Sequence, residues 1–170
     1  MRALWLVGMM GSGKTTVGAL IARRVGLPFI DTDSRIEAEN GRTIASIWET
    51  EGEETFRDLE SEQIDRIVAT GRDCVVATGG GVVLRPDNVA AMRSNGVVVW
   101  LTAGYEELAA RLGDAPARPL LFNRQTDRRV ADLLAERSPA YADAAHHRVD
   151  TSAKEPGDVA REVVLLWNGS

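Results

Sequence analysis

Gly8-Met9-Met10-Gly11-Ser12-Gly13-Lys14-Thr15 follows a short apolar run, Ala3 to Val7, and opens a segment with apolar residues at helical spacing. The string matches G-x-x-x-x-G-K-[ST] in the setting, after a strand and before a helix, that gives this pattern its meaning. Glycines let backbone N–H groups curl around phosphate oxygens, and a helix N-terminus adds positive potential. In such a loop Lys14 bridges the β and γ phosphates and Thr15 offers a hydroxyl to Mg²⁺. The alternative, a glycine-rich turn without a ligand, requires a coincidence found in under about 1% of chains this long.

Working outward, Val17, Leu20, Ile21 and Val25 predict a helix over 15–25, with Gly26-Leu27-Pro28 as its stop. Further short apolar runs predict strands at Pro28 to Ile30, Cys74 to Ala77, Val97 to Leu101 and, more weakly, Arg148 to Val149. Short apolar strands alternating with longer amphipathic stretches read as a parallel sheet covered by helices, an α/β fold. Ile36 to Glu39, Ile44 to Trp48 and Phe56 to Val68 form a helical block between the second and third strands, joined at Gly41 and Gly52. Arg111 to Gln125 contains Gly113, Pro116 and Pro119 without a clear period, and reads as a long loop of the kind that serves as a lid. No internal repeat, low-complexity tract or linker suggests a second domain.

At 170 residues, 26% charged and 44% hydrophobic, the chain suits one domain with a sizeable core, which excludes disordered, collagenous and fibrous classes. With 20 Lys plus Arg against 25 Asp plus Glu, the net charge of -5 provides no global field for a nucleic-acid backbone or an anionic membrane. Anionic ligands must therefore be held locally, mostly by arginine, since the only lysines are Lys14 and Lys154. Cys74 is the single cysteine, which excludes an internal disulfide and fits a reducing compartment, so cytoplasm is the expected location. The first apolar run is too short to span a membrane, and the glycines and lysine after it break its faint imitation of a secretory signal. Neither a long apolar surface nor a heptad pattern demands a partner, so a monomer is expected.

Asp31-Thr32-Asp33 stands at the carboxyl end of the second predicted strand, where open α/β sheets bind ligands. One carboxylate can face Mg²⁺ while the other reaches a substrate hydroxyl. Helix capping by Asp33 or Ser34 is the alternative, and capping and function can coexist. Gly79-Gly80-Gly81 ends the third strand and leaves bare backbone for a ligand, unless it is only a flexible turn. Arg57, Arg118 and Arg137 would each singly be surface charge, but together they suggest an anion site: two to grip a carboxylate and one to neutralise a transferring phosphoryl group. Glu60, one turn after Arg57, can hold that guanidinium or form an ordinary surface pair with it. His146 and His147 lack neighbours at metal-ligand spacing and read as structural, as does Cys74. Trp48 and Phe56 belong to the core or wall a pocket beneath Arg57, and the second reading is preferred.

The order and spacing of these segments resemble shikimate kinases over essentially the whole chain. The resemblance rests on residues 8–18, Phe29-Ile30-Asp31-Thr32-Asp33, Gly52-Glu53-Glu54-Thr55-Phe56-Arg57, Thr78-Gly79-Gly80-Gly81, Arg118-Pro119-Leu120-Leu121 and Arg137-Ser138-Pro139-Ala140-Tyr141. It implies a P-loop NTPase of the nucleoside-monophosphate-kinase type. Its parallel sheet would have five strands in the order 2-3-1-4-5, within a single domain that carries a substrate-binding insertion at about 33–61 and a lid at about 112–125. Carried over residue by residue, Gly11, Ser12, Gly13, Lys14, Thr15 and Thr16 would bind ATP phosphates, and Thr15 with Asp31 would hold Mg²⁺. Asp33 and Gly79, Gly80 and Gly81 would hold shikimate hydroxyls, while Arg57 and Arg137 would clamp its carboxylate with Glu60 orienting Arg57. Arg118 would close over the phosphates, and Arg111 and Pro156 would flank adenine. Trp48 stands where the family often has phenylalanine, and Thr78 stands where many phosphate-loop enzymes, though not this family, carry an acid. The implied reaction is in-line transfer of the γ-phosphoryl group to the 3-hydroxyl of shikimate, with Lys14, Asp33 and Arg118 as catalytic residues. Two rivals are a kinase for another polyol acid such as gluconate, and a nucleotide-binding module without catalysis. A two-arginine clamp beside a glycine triplet suits a rigid cyclic acid, and the presence of all three catalytic candidates argues against lost catalysis.

Overall fold

The computed structural model describes residues 3–113 and 124–169. Five strands, β1 (Ala3–Val7), β2 (Phe29–Asp31), β3 (Val75–Ala77), β4 (Gly96–Thr102) and β5 (His147–Asp150), form one sheet in the order β2-β3-β1-β4-β5. Every neighbouring pair is parallel, with Leu4 opposite both Val75 and Val97 at the centre. Successive side chains of a strand point to opposite faces. Leu4 and Leu6 therefore join Val75, Val99 and Leu101 on one face, while Trp5 and Val7 join Val76, Val98 and Trp100 on the other.

Helices cover both faces, which is why β1 is apolar at every position instead of alternating. The Leu4 face packs on α1 (Lys14–Val25) and α7 (Pro156–Asn168) through Val17, Ile21, Val159 and Val163. The Trp5 face packs on α3 (Ile44–Thr70), α4 (Pro86–Asn95), α5 (Tyr105–Gly113) and α6 (Arg124–Ala144) through Ile64, Met92, Leu108 and Tyr141. Each fully buried Leu or Val contributes about 1.5–3 kcal/mol relative to an exposed position. The helix α2 (Thr32–Asn40) and the first part of α3 share a small cluster of their own, Ile36, Ile47 and Phe56 with Trp48 against it. That cluster is the helical block read from sequence, and Gly52 breaks α3 there with φ 86 and ψ 172.

One expectation and one alternative need correction. Arg111 and Leu112 are not loop but the last turn of α5, because Leu108 and Leu112 sit four apart and are both buried; Arg124 and Gln125 likewise begin α6. The cap of α2 is not Asp33 or Ser34 but Asp31, whose Oδ1 accepts the Ser34 N–H at 3.1 Å. Arg118 and most of the expected lid lie outside the described residues.

His146 is structural. Its N–H donates to the Val98 carbonyl at 2.8 Å and its Nδ1 accepts the Val98 N–H at 2.9 Å, so one residue closes both bonds at the entry to β5. Partial burial, then Arg93 and His147, lower its pKa below the ordinary imidazole value. The unfolded chain therefore binds the extra proton first. The contribution is complete above the ordinary value of about 6.5 and is lost as pH falls below it. The decline in melting temperature from pH 7 to pH 5 should be shallower in His146→Gln than in the parent. At Gly96 a Cβ would lie 1.9 Å from the Ala3 carbonyl oxygen across the β1–β4 pair. Gly96→Ala should cost about 1–3 kcal/mol in denaturant unfolding, as overpacking against fixed backbone does.

Candidate active site

In the strand order, β1 stands between β3, reached on one side, and β4, reached by crossing to the other, so the carboxyl ends of β1 and β3 open at the point where the chain changes direction. The loop after β1 depends on its glycines. A Cβ on Gly8, at φ 141, would lie 2.2 Å from the Leu101 carbonyl oxygen, and Gly11 and Gly13 have φ 81 and φ 93. Gly13 caps α1 without any side-chain hydrogen bond, so the helix N-terminus faces the cavity bare. Lys14 lies 9% exposed, with Nζ donating to the Gly8 and Met9 carbonyls at 2.7 and 2.9 Å. Ser12 is fully buried, and its Oγ has no hydrogen-bond partner among the described residues. A buried hydroxyl without a partner beside a helix N-terminus suits an oxyanion.

Thr15 Oγ1 donates to Asp31 Oδ2 at 2.7 Å, while the other Asp31 oxygen caps α2. Among the described residues no group of three or more His, Cys, Asp or Glu is placed to hold a metal. A hydroxyl and one carboxylate are hard oxygen donors too few for a calcium-type cage. They fit Mg²⁺, which keeps waters and takes phosphate oxygens. Thr78 supplies no acid: its hydroxyl donates to the Leu6 carbonyl at 3.0 Å.

A cavity of about 590 Å³ is lined by Gly11 to Thr16, Asp31, Asp33, Thr78, Gly80, Arg111, Lys154 and Pro156. Arg111 is fixed by four partners: it donates to Thr151 Oγ1 at 3.0 Å, the Thr151 carbonyl at 2.9 Å, the Gly11 carbonyl at 3.3 Å and Glu107 at 2.9 Å. Thr151 has no motif around it to betray this role.

Next to the cavity, α3 carries Arg57 and Glu60 into the interior at 7% and 2% exposure. They form an ion pair, and Arg57 Nη2 reaches Glu53 at 2.9 Å. The guanidinium carbon lies 5.4 Å from the ring centroids of both Trp48 and Phe56. The two rings are therefore both core of the inserted block and a wall beneath Arg57. Burial pushes the Glu60 carboxyl up, against the pull of Arg57, and neighbouring Asp33 adds to the rise. On Arg57, burial acts downward, yet Glu60 and Glu53 carry the net shift upward, so the guanidinium stays charged. Here the glycine triplet shows its use. A Cβ on Gly79 would lie 2.1 Å from Glu60 Oε1 and 2.8 Å from Asp33 Oδ1, and one on Gly81 would lie 2.0 Å from Arg57 Nη1. The bare backbone first admits the protein's own charges, and the Gly79 N–H is taken by Thr32 Oγ1 at 3.1 Å. Arg137 approaches from α6, Nη1 to the Gly80 carbonyl at 3.4 Å, and its buried Nε has no partner among the described residues.

The structure thus gathers Lys14, Thr15, Asp31, Asp33, Arg57, Glu60, Arg137 and the triplet at one end of the sheet. It also includes three residues that no sequence signal marks with a role: Glu53, Thr151 and Tyr141. The geometry can hold a polyphosphate beside a small acid bearing hydroxyls. The family model for shikimate kinase matches residues 10–167. A shikimate kinase of Symbiobacterium thermophilum is 48% identical over 161 residues, covering 94% of this chain and 92% of that protein. The structure of shikimate kinase from Acinetobacter baumannii in complex with shikimate superposes with a TM-score of 0.91 at 35% identity, covering 99% of this chain and 94% of that one. That of the Aquifex aeolicus shikimate kinase gives 0.81 at 32% identity, with 99% and 97% covered. With a family model over nearly its whole length and relatives 48% identical across it, the chain belongs to the shikimate kinase family.

Proposed function

We propose that this chain transfers the γ-phosphoryl group of ATP to the 3-hydroxyl of shikimate, giving shikimate 3-phosphate, ADP and a proton. One observation carries the reading: Lys14 and Asp33 line the same cavity, and Asp33 in turn adjoins the buried Arg57–Glu60 pair over the glycine triplet. Phosphate donor and acid acceptor then meet without either having to cross the sheet.

In this reading Gly11 to Thr16 hold the ATP phosphates, and Lys14 exchanges its contacts with the Gly8 and Met9 carbonyls for phosphate oxygens. Thr15 and Asp31 hold Mg²⁺, which when bound neutralises phosphate charge. Asp33 orients the acceptor hydroxyl and takes its proton as the new O–P bond forms and the bond to ADP breaks. Arg57 and Arg137 grip the acceptor's carboxylate, with Glu60 holding Arg57 in position and the triplet's backbone meeting the hydroxyls. Arg118, carried over from Arg118-Pro119-Leu120-Leu121, neutralises the transferring group as part of a lid at about 112–125. Arg111 and Pro156 flank the adenine, and α2 with the first part of α3 forms the acceptor-binding insertion at about 33–61. The same reading has the enzyme acting as a cytoplasmic monomer; among the described residues, no helix is long and apolar enough to cross a membrane.

The test is ADP release with Mg-ATP, comparing shikimate, gluconate, quinate and nucleoside monophosphates at matched concentrations. Turnover should require shikimate and vanish in Lys14→Ala; preference for gluconate, or ATP binding without turnover, would overturn the reading. Asp33→Asn should lower kcat by about 10²–10⁴, the range of general-base catalysis, and by more than Glu60→Gln does. Arg57→Ala and Arg137→Ala should each raise the shikimate KM about tenfold or more, as loss of a charge-assisted bond implies, whereas Arg118→Ala should chiefly depress kcat.

A further inference from the structure

Tyr141 belongs to the segment Arg137-Ser138-Pro139-Ala140-Tyr141 but is absorbed by none of the roles above. It is completely buried, an unusual place for a phenol unless its hydroxyl has a partner. The partner is the Gly80 carbonyl, to which the Tyr141 hydroxyl donates. Arg137, four residues earlier and so on the same face of α6, donates to that same oxygen at 3.4 Å. The Tyr141 ring is stacked on Trp100, centroids 5.7 Å apart at 26°, and Arg148 lies 4.8 Å from the Trp100 centroid. The phenol is thus locked in place by β4, and its hydroxyl is a fixed point on the glycine triplet.

We propose that Tyr141 is a positioning residue for the acceptor site: by holding the Gly80 carbonyl toward α6, it sets both the triplet's backbone and the Arg137 guanidinium that shares that oxygen. The C=O and N–H of a trans peptide point to opposite sides, so fixing the Gly80 carbonyl on α6 turns the Gly81 N–H away from α6. Flanking Gly80, the triplet already carries Asp33 and Glu60 over Gly79 and Arg57 over Gly81, so a rotation of this peptide displaces the charges on either side. Burial, despite the opposing effect of Arg137, pushes the Tyr141 phenol up to about 12, so it remains a proton donor across neutral pH.

The inference rests on the proposed acceptor, and the experiment separates the two. Steady-state constants are measured for the parent, Tyr141→Phe, Arg137→Ala and the double variant, with melting curves taken with and without shikimate. Tyr141→Phe keeps the ring against Trp100 and removes only the hydroxyl. The expected result is a rise of about fivefold in the shikimate KM, the scale of one lost hydrogen bond, with a smaller change in kcat and an unchanged MgATP KM. In the Arg137→Ala background the same change should have little further effect, because the two residues act on one carbonyl. Shikimate should also raise the melting temperature less in Tyr141→Phe than in the parent. An unchanged shikimate KM, an equal rise in both KM values, or effects that multiply in the double variant would overturn the proposal. If the parent instead turns over a different acid, the acceptor assignment fails, and the same comparison is read on that acid.

Discussion

The ion pair of Arg57 and Glu60, pressed into the hollow left by Gly79 and Gly81, is the constraint around which the site beside the phosphate loop is arranged. Two charges buried together are stable only when each is compensated, and breaking such a pair by removing one partner costs about 3–5 kcal/mol. Here the compensation comes from several elements at once. Glu53 adds a second carboxylate to Arg57, Trp48 and Phe56 cover the guanidinium, and the triplet gives up its side chains so that the pair fits. A substitution at Gly79 or Gly81 would therefore act on charge placement before it acted on any ligand.

That hollow opens beside the phosphate loop because of the sheet. The all-parallel order places β3 next to β1, so the turn carrying the triplet and the turn carrying Gly8 to Gly13 leave the sheet side by side; a Cβ on Gly80 would meet the Gly8 carbonyl and the Met10 N–H at 3.7 Å. Asp31 ties the second strand into the same place, one oxygen on Thr15 at the start of α1 and the other on the first turn of α2. One short segment thus serves as helix cap and as partner of the phosphate loop, and capping and site geometry are a single arrangement.

Much of this was legible in the sequence because it is local. The phosphate loop declares itself by glycines whose backbone angles exclude other residues, and the Arg57 and Glu60 pairing follows from i,i+3 spacing. Their apolar runs place the strands to within a residue or two, since both faces of the sheet are covered. Less legible was whatever depends on separation in sequence. The sequence pattern does not delimit α4, α5, α6 or α7, and the end of α5 reads as loop because Gly113 and two nearby prolines crowd its two-leucine stripe. In sequence the triplet reads as space for a ligand, whereas in the fold it is first space for Glu60, Asp33 and Arg57, and nothing near Thr151 marks it as the anchor of Arg111. Tyr141 stands in a motif, yet its partner lies 61 residues away on the glycine turn.

In the proposed reading, the acceptor's carboxylate accounts for a buried, doubly paired arginine next to a second one, so its removal is the most direct test. Shikimate and its methyl ester are to be compared as phosphoryl acceptors at fixed Mg-ATP. The ester should show a KM higher by about 10²-fold, the loss of charge-assisted bonds to Arg57 and Arg137. Equal KM values for acid and ester would contradict the arrangement described.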